Sequence, residues 1–233
     1  MSIAMPAEMS VMPSVAHCLA ACALPPLEAR ALLAHVSGLS RETLIAFPER
    51  ALDETLQERF EVLSTRRLAG EPLAYLVGEK EFYGRPFHVG PEVLIPRPET
   101  ELLVDTAAAH ARAYAAPRVL DLGTGSGCIA ITLALELENA DVCAVDQSTT
   151  ALAVARVNAQ RLGACVDFIH SDWFHAVQGP FDLIVSNPPY IAVDDLHLHA
   201  LRHEPQRALT DAAGGLSCLR HIARTAPAHL APG

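Results

Sequence analysis

The chain has 233 residues, of which 51% are apolar, and a formal net charge of −10. That length holds one large domain, or a modest domain with a smaller partner, and the apolar fraction supplies material for a core. The acidic balance argues against a protein that grips nucleic acid mainly through phosphates, because that mode needs clustered Lys and Arg. No apolar window approaches a membrane span, and no basic segment followed by an unbroken apolar run marks a signal peptide. The six cysteines are scattered without a C-x-x-C pair, which fits a reducing, cytoplasmic setting.

Residues 1–12, rich in Met, Ala and Ser, are expected to fray. From Pro13 to about Gly70 the pattern is helical. Ala29, Leu32, Leu33 and Val36 share one face, as do Leu52, Leu56, Phe60 and Leu63. Pro25-Pro26, Gly38 and Pro48 cut this stretch into about four short helices, so residues 1–72 read as a helical bundle. Residues 73–96 change character. Tyr75-Leu76-Val77-Gly78 and the run from Phe82 to Val89 mix aromatic and β-branched residues with turn formers, which predicts a hairpin linker. A new helix is expected from about Pro96 to Tyr114.

Over residues 97–233 the rhythm becomes strand–helix–strand. Strands are expected at 118–122, 141–146, 165–170 and 181–186. Helices are expected at about 126–137 and 148–162, with Ser148 as N-cap and Gly163 as stop. This alternation specifies an α/β fold whose parallel sheet is covered on both faces.

The first of these strands runs into Gly123-Thr124-Gly125-Ser126-Gly127. Glycines let backbone approach a ligand closely, and the helix that follows offers N–H groups at its start. A glycine turn alone also fits a tight corner or a dinucleotide site. Asp146, ending the next strand, stands where a carboxylate accepts hydrogen bonds from both hydroxyls of a ribose. The pair therefore indicates an adenosine ligand without choosing among its kinds. Trp173, the sole tryptophan, follows the third strand at the same sheet edge, where it serves either an adenine or ordinary packing.

The most specific signal is Asn187-Pro188-Pro189-Tyr190, which follows the apolar strand ending at Ser186. Two prolines fix φ and remove two donors, and Asn187 before them is driven to extended geometry. The corner thus displays one side-chain amide and free carbonyls on a rigid rim. Such a rim suits methyl transfer to a planar nitrogen. The Asn187 side-chain oxygen and the Pro188 carbonyl can hold the two hydrogens and aim the lone pair at a methyl donor. Tyr190 can pack over the planar acceptor group.

With these residues in view, the chain resembles the release-factor glutamine methyltransferases. The resemblance also rests on Glu71-Pro72-Leu73-Ala74-Tyr75 and on the run from Val93 through Pro96-Arg97-Pro98-Glu99-Thr100-Glu101. Further matches are Glu204-Pro205-Gln206-Arg207-Ala208-Leu209 and the segment ending at Leu216. It implies a Rossmann-like class I methyltransferase sheet, S-adenosyl-L-methionine as cofactor, and an N-terminal bundle that binds the release factor. By the same resemblance Gly123 to Gly127, Asp146, Trp173 and Asn187 would contact the cofactor. Asn187 to Tyr190 would hold the glutamine of a Gly-Gly-Gln motif, with Asn187, Pro188 and Tyr190 as catalytic residues. The chain departs from the family's usual pattern at His203, where Phe is common, and at Gly214-Gly215, where Asp-Gly is common. The family sheet also continues into further strands. A truncated sequence is therefore expected, with an exposed edge on the strand that carries Asn187, reduced stability and uncertain activity.

Three rival functions share part of this pattern: a nucleic-acid adenine N6-methyltransferase, a non-catalytic adenosine-ligand-binding fragment, and an NAD dehydrogenase. No direct nucleic-acid partner is expected, given the charge. His197, His199 and His203 suggest a metal, yet no carboxylate or cysteine framework accompanies them, and they read as solvated. Cys18 and Cys22 read as core packing, and Arg66-Arg67 as a solvated helix face.

Overall fold

The computed structural model describes residues 12–232, which form two compact units divided between Val77 and Gly78. The fraying expected at the N-terminus falls, apart from Met12, outside the described residues.

The first unit consists of α1 (Val15–Ala21), α2 (Pro26–Ser37), α3 (Arg41–Ala46), α4 (Glu54–Leu68) and α5 (Leu73–Val77). Polar side chains start three of these helices. Ser14, Ser40 and Asp53 accept the amides of His17, Thr43 and Leu56, each satisfying one of the N–H groups a helix start leaves over. The expected α2 face is buried, and it packs with Val15, Leu52, Phe60 and Leu76. Leu56 and Leu63 are only half-buried. Each buried large aliphatic or aromatic side chain contributes about 1.5–3 kcal/mol. Cys18 lies in this core. The adjacent arginines are not both solvated: Arg66 pairs with Glu71 at 2.6 Å, and Arg67 donates to both oxygens of Glu28 at 2.7 and 3.0 Å in a part-buried setting.

The hairpin begins later than the sequence suggests. Tyr75, Leu76 and Val77 belong to α5, because Leu73, Leu76 and Val77 recur at i, i+3, i+4 and pack into the first unit's core. That packing overrides the local strand propensity.

The second unit opens with the antiparallel pair β1 (Glu79–Phe82) and β2 (Arg85–His88). Phe82 and Phe87 meet edge-on, with ring centroids 6.0 Å apart, in the same buried cluster as one face of the main sheet. There follow α6 (Glu101–Ala111), β3 (Arg118–Leu122), α7 (Cys128–Glu136), β4 (Asp141–Asp146), α8 (Thr149–Leu162), β5 (Asp167–His170) and β6 (Leu183–Ser186). As expected, Ser148 caps α8, and Gly163, in left-handed geometry, ends it. The four long-range strands lie in the order β5-β4-β3-β6, and every pair is parallel. Side chains alternate between two cores. Val119, Val142, Ala144 and Val185 face one cluster, while Leu120, Leu122, Cys143 and Val145 face the other. Apolar residues on both faces are what a helix-covered parallel sheet requires.

After β6 the described residues form three more α-helices, α9 (His197–Ala200), α10 (Gln206–Leu209) and α11 (Ser217–Thr225), and a final 3-10 turn at Ala226–Ala228. The outer side of β6 has no partner strand among the described residues, but its approach is covered. Phe181 pairs in parallel with Leu230, donating to the His229 carbonyl at 2.8 Å. Among the described residues, no helix is long and apolar enough to cross a membrane.

Candidate active site

The sheet order decides where the functional residues meet. From β3 the chain winds outward through β4 to β5, then returns to place β6 on the other flank of β3. Loops that leave neighbouring strands in opposite directions open a crevice at the carboxyl edge. Leu122 of β3 pairs with Val145 on one side and Ser186 on the other. Their successors Gly123, Asp146 and Asn187 therefore emerge side by side, from stretches far apart in sequence. Ser186 reinforces the register by donating its hydroxyl to the Leu122 carbonyl at 2.7 Å.

A cleft of about 450 Å³ opens there. Gly123, Thr124, Gly125, Ser126, Asp146, Trp173, Asn187 and Pro189 line it. Gly127 does not. It sits one layer back with φ +82°, where a Cβ would come 2.7 Å from the Ile131 side chain and 3.1 Å from Ala155 Cβ. The turn curls on itself: Gly123 and Thr124 both donate to the Val145 carbonyl, at 2.9 and 3.0 Å. Asp146 ties it down, accepting from the Gly125 amide at 2.9 Å on one oxygen and from the Ser148 amide at 2.8 Å on the other. A carboxylate oxygen takes two hydrogen bonds, so each retains capacity toward the cleft.

Trp173 both lines the cleft and packs on the core cluster beneath it. Its backbone is held at φ +48°, a conformation a bulky residue seldom adopts. Its ring lies over the start of the glycine turn, 4.0 Å from where a Gly123 Cβ would be.

Asn187, Pro188 and Tyr190 line a second, adjoining cavity of about 330 Å³. Asn187, Arg97 and Thr100 border both. The Asn187 side chain donates from Nδ2 to Thr100 Oγ1 at 3.3 Å. Tyr190 is 59% exposed, so its ring stands at the mouth of this cavity rather than folded into it. Behind the corner, Ile191 donates to the Leu209 carbonyl at 2.9 Å and Val193 to Ala213 at 3.0 Å. Gly215, with φ +79°, leaves room for the Tyr190 carbonyl, against which any Cβ would collide. Asp211 braces that loop by accepting from the amides of Ala213, Gly215 and Ser217 and from the Ser217 hydroxyl, and this donor set holds its carboxyl well below the usual range.

Several site residues have no role assigned from sequence. Asp121 is fully buried on β3 beneath the glycine turn. Burial pushes its carboxyl up to about 7, opposed by the Thr124 hydroxyl, which donates to it at 2.7 Å. Its other oxygen has no hydrogen-bond partner among the described residues. A carboxylate inside an apolar strand was the available signal. Glu204, also buried, accepts from Arg97 at 2.5 Å and from the Ile95 amide at 3.1 Å. Asn158, with no solvent exposure, accepts from the His88 amide at 2.7 Å. It also donates at 2.9 Å to the carbonyls of His88 and Ser126. Of the three histidines read as solvated, His197 and His199 are exposed, and His197 pairs with Asp195 at 2.7 Å. His203 is not solvated throughout, because it is half-buried and its Nε2 is buried with no hydrogen-bond partner among the described residues.

A parallel sheet with a glycine turn after its first strand and a carboxylate ending the next, both at the switch point, is the arrangement of the class I S-adenosylmethionine-dependent methyltransferases. Known proteins narrow the class. Residues 98–216 match the family described as Methyltransferase small domain, and residues 13–78 match the PrmC N-terminal domain. A release factor glutamine methyltransferase of Bordetella pertussis is 53% identical over 214 residues, spanning 90% of this chain and 79% of that protein. One from Neisseria gonorrhoeae is 51% identical, over 90% of this chain and 78% of its own. The chain belongs to the release factor glutamine methyltransferase family. Among solved structures, a Thermus thermophilus 16S rRNA N2 G1207 methyltransferase in complex with AdoMet and guanosine aligns with a TM-score of 0.50 and 24% identity. It covers 66% of this chain and 39% of its own. The human Mettl16 catalytic domain aligns with a TM-score of 0.52 and 16% identity, over 76% and 66% of the two chains. These two likenesses concern the fold alone.

Proposed function

We propose that this chain transfers a methyl group from S-adenosylmethionine to the side-chain amide nitrogen of the glutamine in the Gly-Gly-Gln motif of peptide chain release factors. The observation that carries the reading is the pairing of Leu122 with Ser186, which brings the glycine turn and the Asn-Pro-Pro-Tyr corner to one edge of the sheet.

The residues present fit the cofactor. The cleft has a volume typical of small-molecule sites. Asp146 keeps two acceptor positions for a ribose diol, and the Trp173 indole offers a flat apolar wall. The charged residues lining the cleft are Glu92, Asp146, Asp172 and Asp211 against Arg97 and Arg207, a balance suited to a ligand bearing a sulfonium and an ammonium. When bound, the cofactor supplies an electrophilic methyl carbon. Gly123, Thr124, Gly125 and Ser126 would line it, and Gly127 would let α7 pack closely behind the turn.

For the acceptor, the chain's own groups have two tasks. An amide nitrogen is planar, and its lone pair is delocalised. Asn187 Oδ1 and the Pro188 carbonyl would accept its two N–H groups, fix its plane and support positive charge as it develops. After transfer the nitrogen is acidic and loses a proton to solvent, so no charged base is needed within the corner. Tyr190 would close over the amide as the substrate enters, and Pro189 would keep the rim rigid. The helical unit that ends at Val77 would dock the release factor, residues 78–96 link, and 97–233 carry the chemistry. Six free cysteines suit a reducing, cytoplasmic location.

The test is incubation with methyl-tritiated cofactor and, in parallel, release factor, DNA and RNA. Label in release factor supports the reading. Label confined to nucleic acid replaces it with the adenine N6 reaction, and cofactor binding without transfer replaces it with a binding module.

A further inference from the structure

We infer that Thr100 is a positioning residue for Asn187, holding the amide by its nitrogen end so that its oxygen is left for the acceptor; the inference rests on the methyl-transfer reading above. A carboxamide has two ends of nearly equal shape and opposite hydrogen-bonding sense. If Asn187 turned its NH₂ toward an incoming amide NH₂, donor would face donor and the acceptor would not be held. The corner itself supplies little restraint, since Pro188 and Pro189 have no N–H to engage the side-chain oxygen.

The restraint comes from across the fold. Thr100 is 8% exposed, stands just ahead of α6, and its hydroxyl oxygen accepts from Asn187 Nδ2 at 3.3 Å. Both residues border both cavities, so the contact lies in the wall between the cofactor cleft and the acceptor cavity. The loop that carries Thr100 is itself fixed. Pro96 and Pro98 stiffen it, and the Thr100 amide donates to the Arg97 carbonyl at 3.0 Å. Glu204 clamps it through the Ile95 amide and the Arg97 guanidinium. A buried carboxylate is costly to desolvate, and its two oxygens are both spent on this one loop. The outcome is a chain of contacts from Glu204, through residues 95–100, to the amide that faces the substrate.

The experiment compares Thr100→Val, Thr100→Ser and Asn187→Ala with wild type, using release factor as acceptor. Cofactor Kd and Tm are measured alongside. Valine keeps the shape and removes the hydroxyl. Thr100→Val is expected to lower kcat between about tenfold and a hundredfold, with cofactor Kd and Tm near wild type. Thr100→Ser is expected to restore most of the rate. Adding Thr100→Val to Asn187→Ala is expected to cost nothing further, because the group it positions is gone. Should the valine variant unfold, Thr100→Ala carries the same comparison. A kcat within about twofold of wild type for Thr100→Val, failure of Thr100→Ser to rescue, or a full additional loss in the double variant would overturn the inference while leaving the function intact. A wild-type chain that transfers no methyl group to release factor would overturn both.

Discussion

Replacing Asn158 by leucine removes a side chain that serves three backbone groups at once. Its oxygen accepts the His88 amide at 2.7 Å, and its nitrogen donates at 2.9 Å to the carbonyls of His88 and Ser126. Asn158 has no solvent exposure, so water does not step in for the missing amide. A buried polar group left unpaired costs about 1–3 kcal/mol, and some relaxation around three such groups brings the total to about 3–5 kcal/mol. For a unit of this size each kcal/mol moves Tm by about 2–4 °C, so a fall of about 10 °C is expected. Melts followed by circular dichroism without cofactor would read it directly, since bound ligand would mask part of the loss. Ser126 belongs to the glycine turn, so the same variant is expected to bind cofactor more weakly. Asn158→Asp should do no better at neutral pH, because a carboxylate cannot donate to the two carbonyls and adds a buried charge. A drop of less than about 3 °C for the leucine variant would refute the reasoning, whatever its effect on activity.

Asn187→Ala is expected to reduce kcat by about a hundredfold or more while leaving cofactor affinity far less affected, by steady-state kinetics and calorimetry. Asp146→Ala should raise the cofactor Kd by about tenfold or more in the same titration, because a charged acceptor toward the ribose is lost. Asp121 makes the apo protein's stability depend on pH. Its folded-state pKa, about 7, lies above the ordinary value of 3.8, so the folded chain keeps a proton the unfolded chain gives up. The Asp121 contribution is then fully present below about pH 4 and is lost as the pH rises through 7, by about 4 kcal/mol at most. Melts at pH 5 and pH 8 should show this loss, and Asp121→Asn should flatten it.

Local periodicity carried much of the fold. Strands and helices from Arg118 to Ser186 were readable because apolar runs alternate with amphipathic ones, and because Ser148 and Gly163 punctuate α8 unambiguously. The start of the hairpin was not readable, since Tyr75–Val77 have strand-like composition and only the packing of Leu73 and Leu76 makes them helical. Strand order was also invisible, because nothing in β6 states which side of β3 it will join. At the site, the glycine turn, Asp146 and the diproline corner announced themselves through residue type and spacing. Their supports did not. Thr100 and Asn187 are separated by 87 positions, and Arg97 and Glu204 by 107, so no window of sequence relates them. Arg66-Arg67 reads as a solvated pair for the same reason: the partner of Arg67 is Glu28, two helices earlier.

The most direct measurement is peptide mass spectrometry of a release factor incubated with this chain and S-adenosylmethionine, with fragmentation that locates the added methyl group. The expected result is a single methyl on the side-chain amide of the Gly-Gly-Gln glutamine, absent when Asn187 is replaced by alanine. Methylation at some other residue, or the same modification with the alanine variant, would contradict the claim that this diproline corner holds the amide that is methylated.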